Sequence, residues 1–431
     1  MRVKLAYGRD GLWVDLPDRN VTVVEPRFVA GLPLGKAEAA IVQALRQPLD
    51  SPPLREMVRP EDSVAILFSD ITRPTPNDRL LPPLLAELSR VPIPRERVVL
   101  INATGMHRPN TEEELRGMLG DEVVGGYRIV QHDAHDQNGL LNLGRTRFGH
   151  EILVNRAYAE ATVKILTGFI EPHFFAGFSG GPKAVLPGVA GVRLVLENHS
   201  AVMLDHPGAT WGITDGNPVW EEMLEVALKT APTFLLNVTL NSETPRAITG
   251  VYAGDLQAAH RAGTAAVRRA AMVPVEAPFD VVITSNSGYP LDLNLYQAVK
   301  GMSAAAQVVR AGGSIIVAAE CWDGVPDHGE YKNLLHMADA PQALLEIIRQ
   351  PGFLMVDQWE AHVQARVECR ADVYVKSSYL SDDEIRSALL RPCHRIEETL
   401  AELLVRYGPE ARICVLPEGP QTIPHVKSPW L

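Results

Sequence analysis

Four stretches of the chain gather side chains able to move protons, hold anions or bind a metal, and each follows a short apolar run. In the first, Ser69 to Pro76, Arg73 can offer a planar fork to a carboxylate or phosphate, while Asp70 and Thr72 can bind a hydroxyl or cap the next helix. The second, Asn102 to Pro109, carries His107, an imidazole suited to acid–base work, behind Gly105, which permits close backbone approach. The third reads TGFIEPHFFAGFSGGPK from Thr167 to Lys183. It holds His173, three glycines (Gly177, Gly180 and Gly181) whose amides can converge on an anion, and Lys183 as a point charge or amine nucleophile. His199, in Glu197-Asn198-His199-Ser200, follows sixteen residues after Lys183. The fourth, Ser285 to Asp292, leads into a helical stretch with Tyr296, Gln297 and Lys300; the last two share one helix face and can clamp a carboxylate.

These placements call for an open α/β fold, in which loops after parallel strands form the ligand crevice. Strands are expected at Ser63–Phe68, Arg97–Ile101, Thr162–Thr167, Phe234–Leu240, Phe279–Thr284, Ser314–Ala318 and Ile413–Leu416. Between them fall segments of helical period such as Asn77–Ser89, Leu256–Ala271 and Leu295–Ala311, the last closed by a Gly-Gly turn. Two prolines in Met272–Pro278 mark a boundary. The expectation is therefore two domains with largely parallel sheets and helices on both faces, and an active site in the interdomain cleft. Residues 1–275 form the cofactor-binding and catalytic domain, 276–409 a C-terminal α/β domain, and the tail 410–431 packs back on the first.

The composition narrows the function classes. Of 431 residues 46% are hydrophobic and 22% charged, as in ordinary globular proteins. Against 41 Lys and Arg stand 52 Asp and Glu, a net charge of −11 that disfavours a nucleic-acid partner. A small anion remains open, because a few cations focused in one cleft override the surface sign. Four cysteines without a CxxC pair argue against a disulfide framework or structural zinc. No apolar run is long enough to span a membrane, and the N-terminus lacks a signal-peptide pattern, so a cytoplasmic location is expected. Pro182 and Ala184 break a Walker A pattern, and no GxGxxG occurs. His132-Asp133-Ala134-His135-Asp136 is a second place with ligand-type residues for a transition metal.

Taken in order, DITRP, ATGMHRP, EPHFFAGFSGGPK, ENH and LYQAVKG resemble the nickel-dependent lactate racemase family. The resemblance implies a racemase of a 2-hydroxy acid, lactate or a related 2-hydroxy carboxylate. Hydride passes to and from a nickel pincer nucleotide, a pyridinium mononucleotide with two sulfur-bearing arms, through a 2-keto acid. It implies Lys183 as the tether and His199 as the nickel ligand. His107 and His173 become the acid–base pair; Asp70, Thr72, Gly177, Gly180 and Gly181 hold the cofactor; Arg73, Gln297, Lys300, Tyr296 and Trp359 surround the substrate. Cofactor-building enzymes are then required partners. Two rival readings are a nicotinamide-dependent 2-hydroxy acid dehydrogenase, disfavoured by the missing glycine fingerprint, and a non-catalytic nickel-binding protein built on His132 and His135.

Overall fold

A computed structural model describes residues 1–242 and 246–427. The chain forms two compact units. The first comprises Phe28–Asn198 and His206–Arg269; the second comprises Met1–Arg27, His199–Asp205 and the chain from Ala270 onward.

The first unit is built on strands β1 (Val64–Ser69), β2 (Val98–Ala103), β3 (Arg128–Gln131), β4 (Val163–Phe169), β5 (Phe234–Leu240) and β6 (Ile248–Gly254). Their order is β6-β5-β4-β1-β2-β3, parallel except for the antiparallel edge strand β6. β4 is buried along its whole length, as befits a central parallel strand covered on both faces. Ile66, Leu100, Ile165 and Leu236 share a core with Leu80 and Leu84 of the helix Asn77–Leu88. Succession runs outward from β1 through β2 to β3 on one side and through β4 to β5 on the other, so the order reverses between β1 and β4. The loops leaving β1, β2 and β4 therefore emerge side by side, at the position where such sheets form a crevice.

The second unit carries β7 (Phe279–Ser285), β8 (Val309–Ala318), β9 (Ala371–Lys376), β10 (Arg391–Pro392) and β11 (Ile413–Leu416). The order β10-β9-β8-β7-β11 ends on Val21–Val23, all parallel. Helices α1 (Leu295–Ala306) and α2 (Gln358–Arg370) pack on each other. Among the described residues no helix is long and apolar enough to cross a membrane.

The α/β expectation stands, with three corrections to its layout. First, the tail pairs with Val21–Val23 and Met272–Val275 of the expected residues 1–275, but both segments belong to the second unit. The tail's four buried residues Ile413–Leu416 fill the place beside β7, and Ile423–Val426 pairs with Met272–Val275, so the expected linker is itself a strand. Residues 428–431 of that expectation lie outside the described ones. Second, the N-terminal hairpin and Val21–Val23 join the C-terminal unit, because Leu5 and Val14 pack with Ile283 and Val415. Third, α1 ends at Ala306, not Ala311: β8 begins at Val309, and Gly312 and Gly313 lie inside it. Gly312 has φ +71°, and a Cβ on Gly313 would stand 2.8 Å from the Asp280 carbonyl, so neither place suits a bulkier residue.

Candidate active site

The loops after β1 and β2 meet through a buried carboxylate. Asp70 follows β1, and its Oδ2 lies 2.8 Å from Nδ1 of His107, which follows β2. The Thr72 hydroxyl donates to Asp70 Oδ1 at 2.9 Å, and Arg73 donates to Thr72 Oγ1 at 3.2 Å. Burial works to raise the Asp70 carboxyl, but the hydrogen bond and charge of His107, the charge of Arg73 and the Thr72 hydroxyl together hold it below the ordinary aspartate range. An ionised carboxylate only accepts, so His107 Nδ1 carries a proton, and in the neutral ring Nε2 presents the lone pair. The His107 side chain is 45% exposed while Asp70 is buried beneath it, which is the arrangement of a reactive imidazole with a fixed orienting partner. Gly105, at φ +58°, bends the loop, and its N–H donates to the Gly188 carbonyl, tying this loop to the chain beyond Lys183.

The stretch after β4 folds into a miniature hairpin, Pro172–His173 against Gly177–Phe178. His173 stacks on Phe174 at 4.9 Å between centroids and meets Phe175 edge-on at 4.5 Å. Its Nδ1 accepts from the backbone of Ala176 at 3.2 Å. The Lys183 ammonium lies 5.7 Å from the centroid of the same Phe175 ring that His173 meets. Asn217 underpins the hairpin, donating to the carbonyls of Phe175 and Ile213 while its Oδ1 caps the helix Pro218–Lys229.

The glycines of this stretch serve the backbone path. Gly177 has φ +77°, and a Cβ there would stand 2.1 Å from the Ile213 carbonyl. At Gly180 it would meet Asn237 and the Phe169 carbonyl, and at Gly181 the ring of His260. The Gly181 N–H donates to Asn237 Oδ1 at 2.8 Å, so that amide is engaged inside the protein. His260 and Asn237 are supports that sequence reading missed. His260 donates from Nε2 to the Ser179 carbonyl at 2.9 Å and stacks on Trp220, and burial pushes its pKa down to about 4. A lone histidine in an Ala-rich helix gave no local signal of that contact.

The remaining candidates lie in the second unit on α1 and α2. Lys300 donates to Gln297 Oε1 at 2.6 Å, and Trp359 Nε1 donates to the Tyr296 hydroxyl at 3.0 Å. His199 is buried, with its ring edge-on to Trp359 at 5.2 Å. The segment around it is clamped to α2: Gln358 donates to the His199 carbonyl, His362 Nε2 lies 3.1 Å from Asp205 Oδ1, and Arg366 donates to the Leu204 carbonyl. Arg349 grips Asp205 with two nitrogens at 2.8 and 2.9 Å. Next to Trp359, the fully buried Glu360 has its pKa pushed up by burial to about 8, although nearby Lys300 pulls it down.

Comparison with known proteins bears on this arrangement. The lactate racemase N-terminal domain model matches residues 7–212 and the C-terminal domain model residues 275–423. A lactate racemase of Lactiplantibacillus plantarum is 36% identical over 383 residues, 89% of either chain, and one of Thermoanaerobacterium thermosaccharolyticum is 34% identical over 425, 98% of either. The chain belongs to the lactate racemase family. It is thereby an isomerase. The lactate racemase apoprotein structure from Thermoanaerobacterium thermosaccharolyticum superposes with a TM-score of 0.91 at 32% identity, covering 99% of this chain and 100% of that one. A Thermotoga maritima protein, at 19% identity and a TM-score of 0.67 over 93% of this chain and 100% of that one, shares the fold.

Family membership leaves the dehydrogenase reading without support. The rival metal site also loses its first member. His132 is buried, its Nε2 lies 3.0 Å from the Ala190 carbonyl, and burial lowers its pKa. Among the described residues no group of three or more His, Cys, Asp or Glu side chains is placed to hold a metal.

Proposed function

We propose that this chain racemises lactate or a related 2-hydroxy carboxylate, using a nickel pincer nucleotide tethered to Lys183, and that it works in the cytoplasm beside the enzymes that build that cofactor. The observation that carries the reading is the Asp70–His107 pair: an exposed imidazole held through Nδ1 by a buried carboxylate, which leaves Nε2 of the neutral ring to accept a proton. The donor set fits the group. Lys183 is an amine on a short turn braced by Phe175, suited to a thioamide link, and His199 is a packed imidazole, a good nickel donor. When bound, the group supplies an acceptor for the hydride at C2, which avoids removing a very weakly acidic α-proton.

The chain's own residues supply the rest. His107 Nε2 takes the hydroxyl proton of the substrate, and the Asp70 carboxylate stabilises the imidazolium that forms. His173, from a different strand's loop, serves the opposite face of the flat 2-keto acid. Arg73, Gln297 and Lys300 are assigned to anchor the carboxylate so that only C2 changes, while Tyr296 of α1 and Trp359 of α2 brace one another. Asp70 is better read as the partner of His107 than as a cofactor contact, and with the Gly181 amide engaged by Asn237, Thr72, Gly177 and Gly180 remain for the cofactor.

The test is intact mass and metal analysis on protein made beside the cofactor-building enzymes, with Lys183→Ala prepared in the same way. A mass increment with nickel, absent from the variant, together with racemisation of enantiopure lactate or another 2-hydroxy acid, is expected. Unmodified protein in both preparations sinks the cofactor assignment.

A further inference from the structure

The two histidines assigned to proton transfer are held in opposite ring forms. In the neutral ring Asp70 holds the proton of His107 on Nδ1 and leaves the lone pair on Nε2. His173 is under the reverse constraint. Its Nδ1 lies 3.2 Å from the Ala176 nitrogen and 3.5 Å from the Phe175 nitrogen, and a backbone N–H can only donate. Nδ1 must therefore be the lone-pair nitrogen, and the neutral ring carries its proton on Nε2. This follows from the hairpin itself: pairing His173 with Gly177 folds the amides of Phe175 and Ala176 back under the His173 side chain, while Phe174 and Phe175 hold the plane of the ring.

We propose that the resting pair is one ready base and one hydrogen-bond donor, and that His173 becomes an acid or a base only after its ring releases the Ala176 amide. The proposal rests on the racemase reading. In proton terms, the substrate O–H bond breaks, an N–H bond forms at His107 Nε2, and the ring becomes an imidazolium whose Nδ1–H stays on Asp70. The same step at His173 meets an Nε2 that already bears hydrogen. For His173 to give a proton and remain neutral it must first gain one at Nδ1, where the Ala176 N–H stands. The enantiomer whose hydroxyl faces His107 is thus deprotonated without rearrangement, and its mirror image waits for the His173 ring to turn. Because the two enantiomers are equal in free energy, kcat/KM is the same in both directions; the asymmetry falls on kcat and KM separately, as a higher kcat with a matching higher KM for one enantiomer.

The experiment is long-range nitrogen–proton correlation on full-length, cofactor-loaded protein labelled with nitrogen-15 histidine, at mildly alkaline pH, with His107→Gln and His173→Gln used to assign the two rings. The signals lost in His107→Gln should be a protonated, pyrrole-type Nδ1 and a pyridine-type Nε2. Those lost in His173→Gln should be the reverse. The same ring form in both residues, or a protonated Nδ1 on His173, overturns the proposal. Assaying racemisation on the same loaded protein separates the two readings: opposite ring forms in a loaded chain that racemises no 2-hydroxy acid would remove the function and leave the ring assignment standing, whereas matching forms in an active racemase would do the opposite.

Discussion

Both units contain a parallel sheet whose strand order reverses, and they use the reversal in opposite ways. In the first unit the loops leaving β1, β2 and β4 carry Asp70, His107, His173 and Lys183, and the His107 ring, half exposed, turns to Asp70. In the second, the reversal lies between β7 and β11, and the chain closes it. Ser285 donates to the Pro417 carbonyl, Ser287 donates to the Glu418 carbonyl, and Gly419, at φ +53°, approaches so near that a Cβ would stand 2.0 Å from the Ser285 carbonyl. The candidate substrate residues of that unit come instead from the helices α1 and α2. Topology marks where a crevice can form; the side chains and backbone at the strand ends decide whether one is left open.

The largest effect should come from the open reversal. His107→Ala is expected to cut kcat by about 10²- to 10⁴-fold with the melting temperature nearly unchanged, since the side chain is half exposed; a loss under tenfold would break the contrast. Asp70→Asn should follow with a fall of about 10²-fold or more in kcat, because an amide no longer stabilises the imidazolium. Asp70 also predicts a direction with pH. Its native pKa lies below the ordinary value of 3.8, so its stabilising contribution is complete above that value and is lost as pH falls through the lower native one. Acid unfolding of Asp70→Asn should accordingly be less steep than that of the parent.

At the closed reversal the expected effects are on stability. Gly419→Ala should destabilise by about 2 kcal/mol or more, from a strained backbone and a collision with Ser285, seen as a lower denaturation midpoint with the histidine ring signals unmoved. The smallest effect is at Glu360, whose pKa is pushed up to about 8. The folded state favours its protonated form, so stability is full below the unfolded value of 4.5 and declines as pH rises toward about 8. Glu360→Gln should melt with the parent at acid pH and a few degrees above it at alkaline pH, on the order of 2–4 °C per kcal/mol; equal melting at both would remove the buried charge from the account.

The strands were readable because parallel strands are apolar runs bounded by turn residues, and each loop with candidate chemistry does follow a strand. The Asp70–His107 bond was not readable, because it joins residues that only the pairing of β1 with β2 brings together. Asp70, read locally, offered a cap or a hydroxyl ligand. The structural demand on the glycines was hidden for a related reason: a run of them signals a backbone that must bend, and only the neighbours Ile213, Asn237 and His260 reveal what it bends around. The joining of Val21–Val23 to β11 carries no local signal at all, since it spans nearly the whole chain.

That last pairing bears on the order in which the protein can be completed. The chain passes between its two units four times, after Arg27, Asn198, Asp205 and Arg269, so no single cut releases either unit whole. Val21–Val23 is synthesised before any other strand of its sheet and finds its neighbour, Ile413–Leu416, only when translation is nearly over. Until then its edge stays unpaired, while the sheet of the first unit already has all its strands. A ribosome that stalls late would thus release a chain with its His107 and His173 loops in place and Val21–Val23 still without its neighbouring strand.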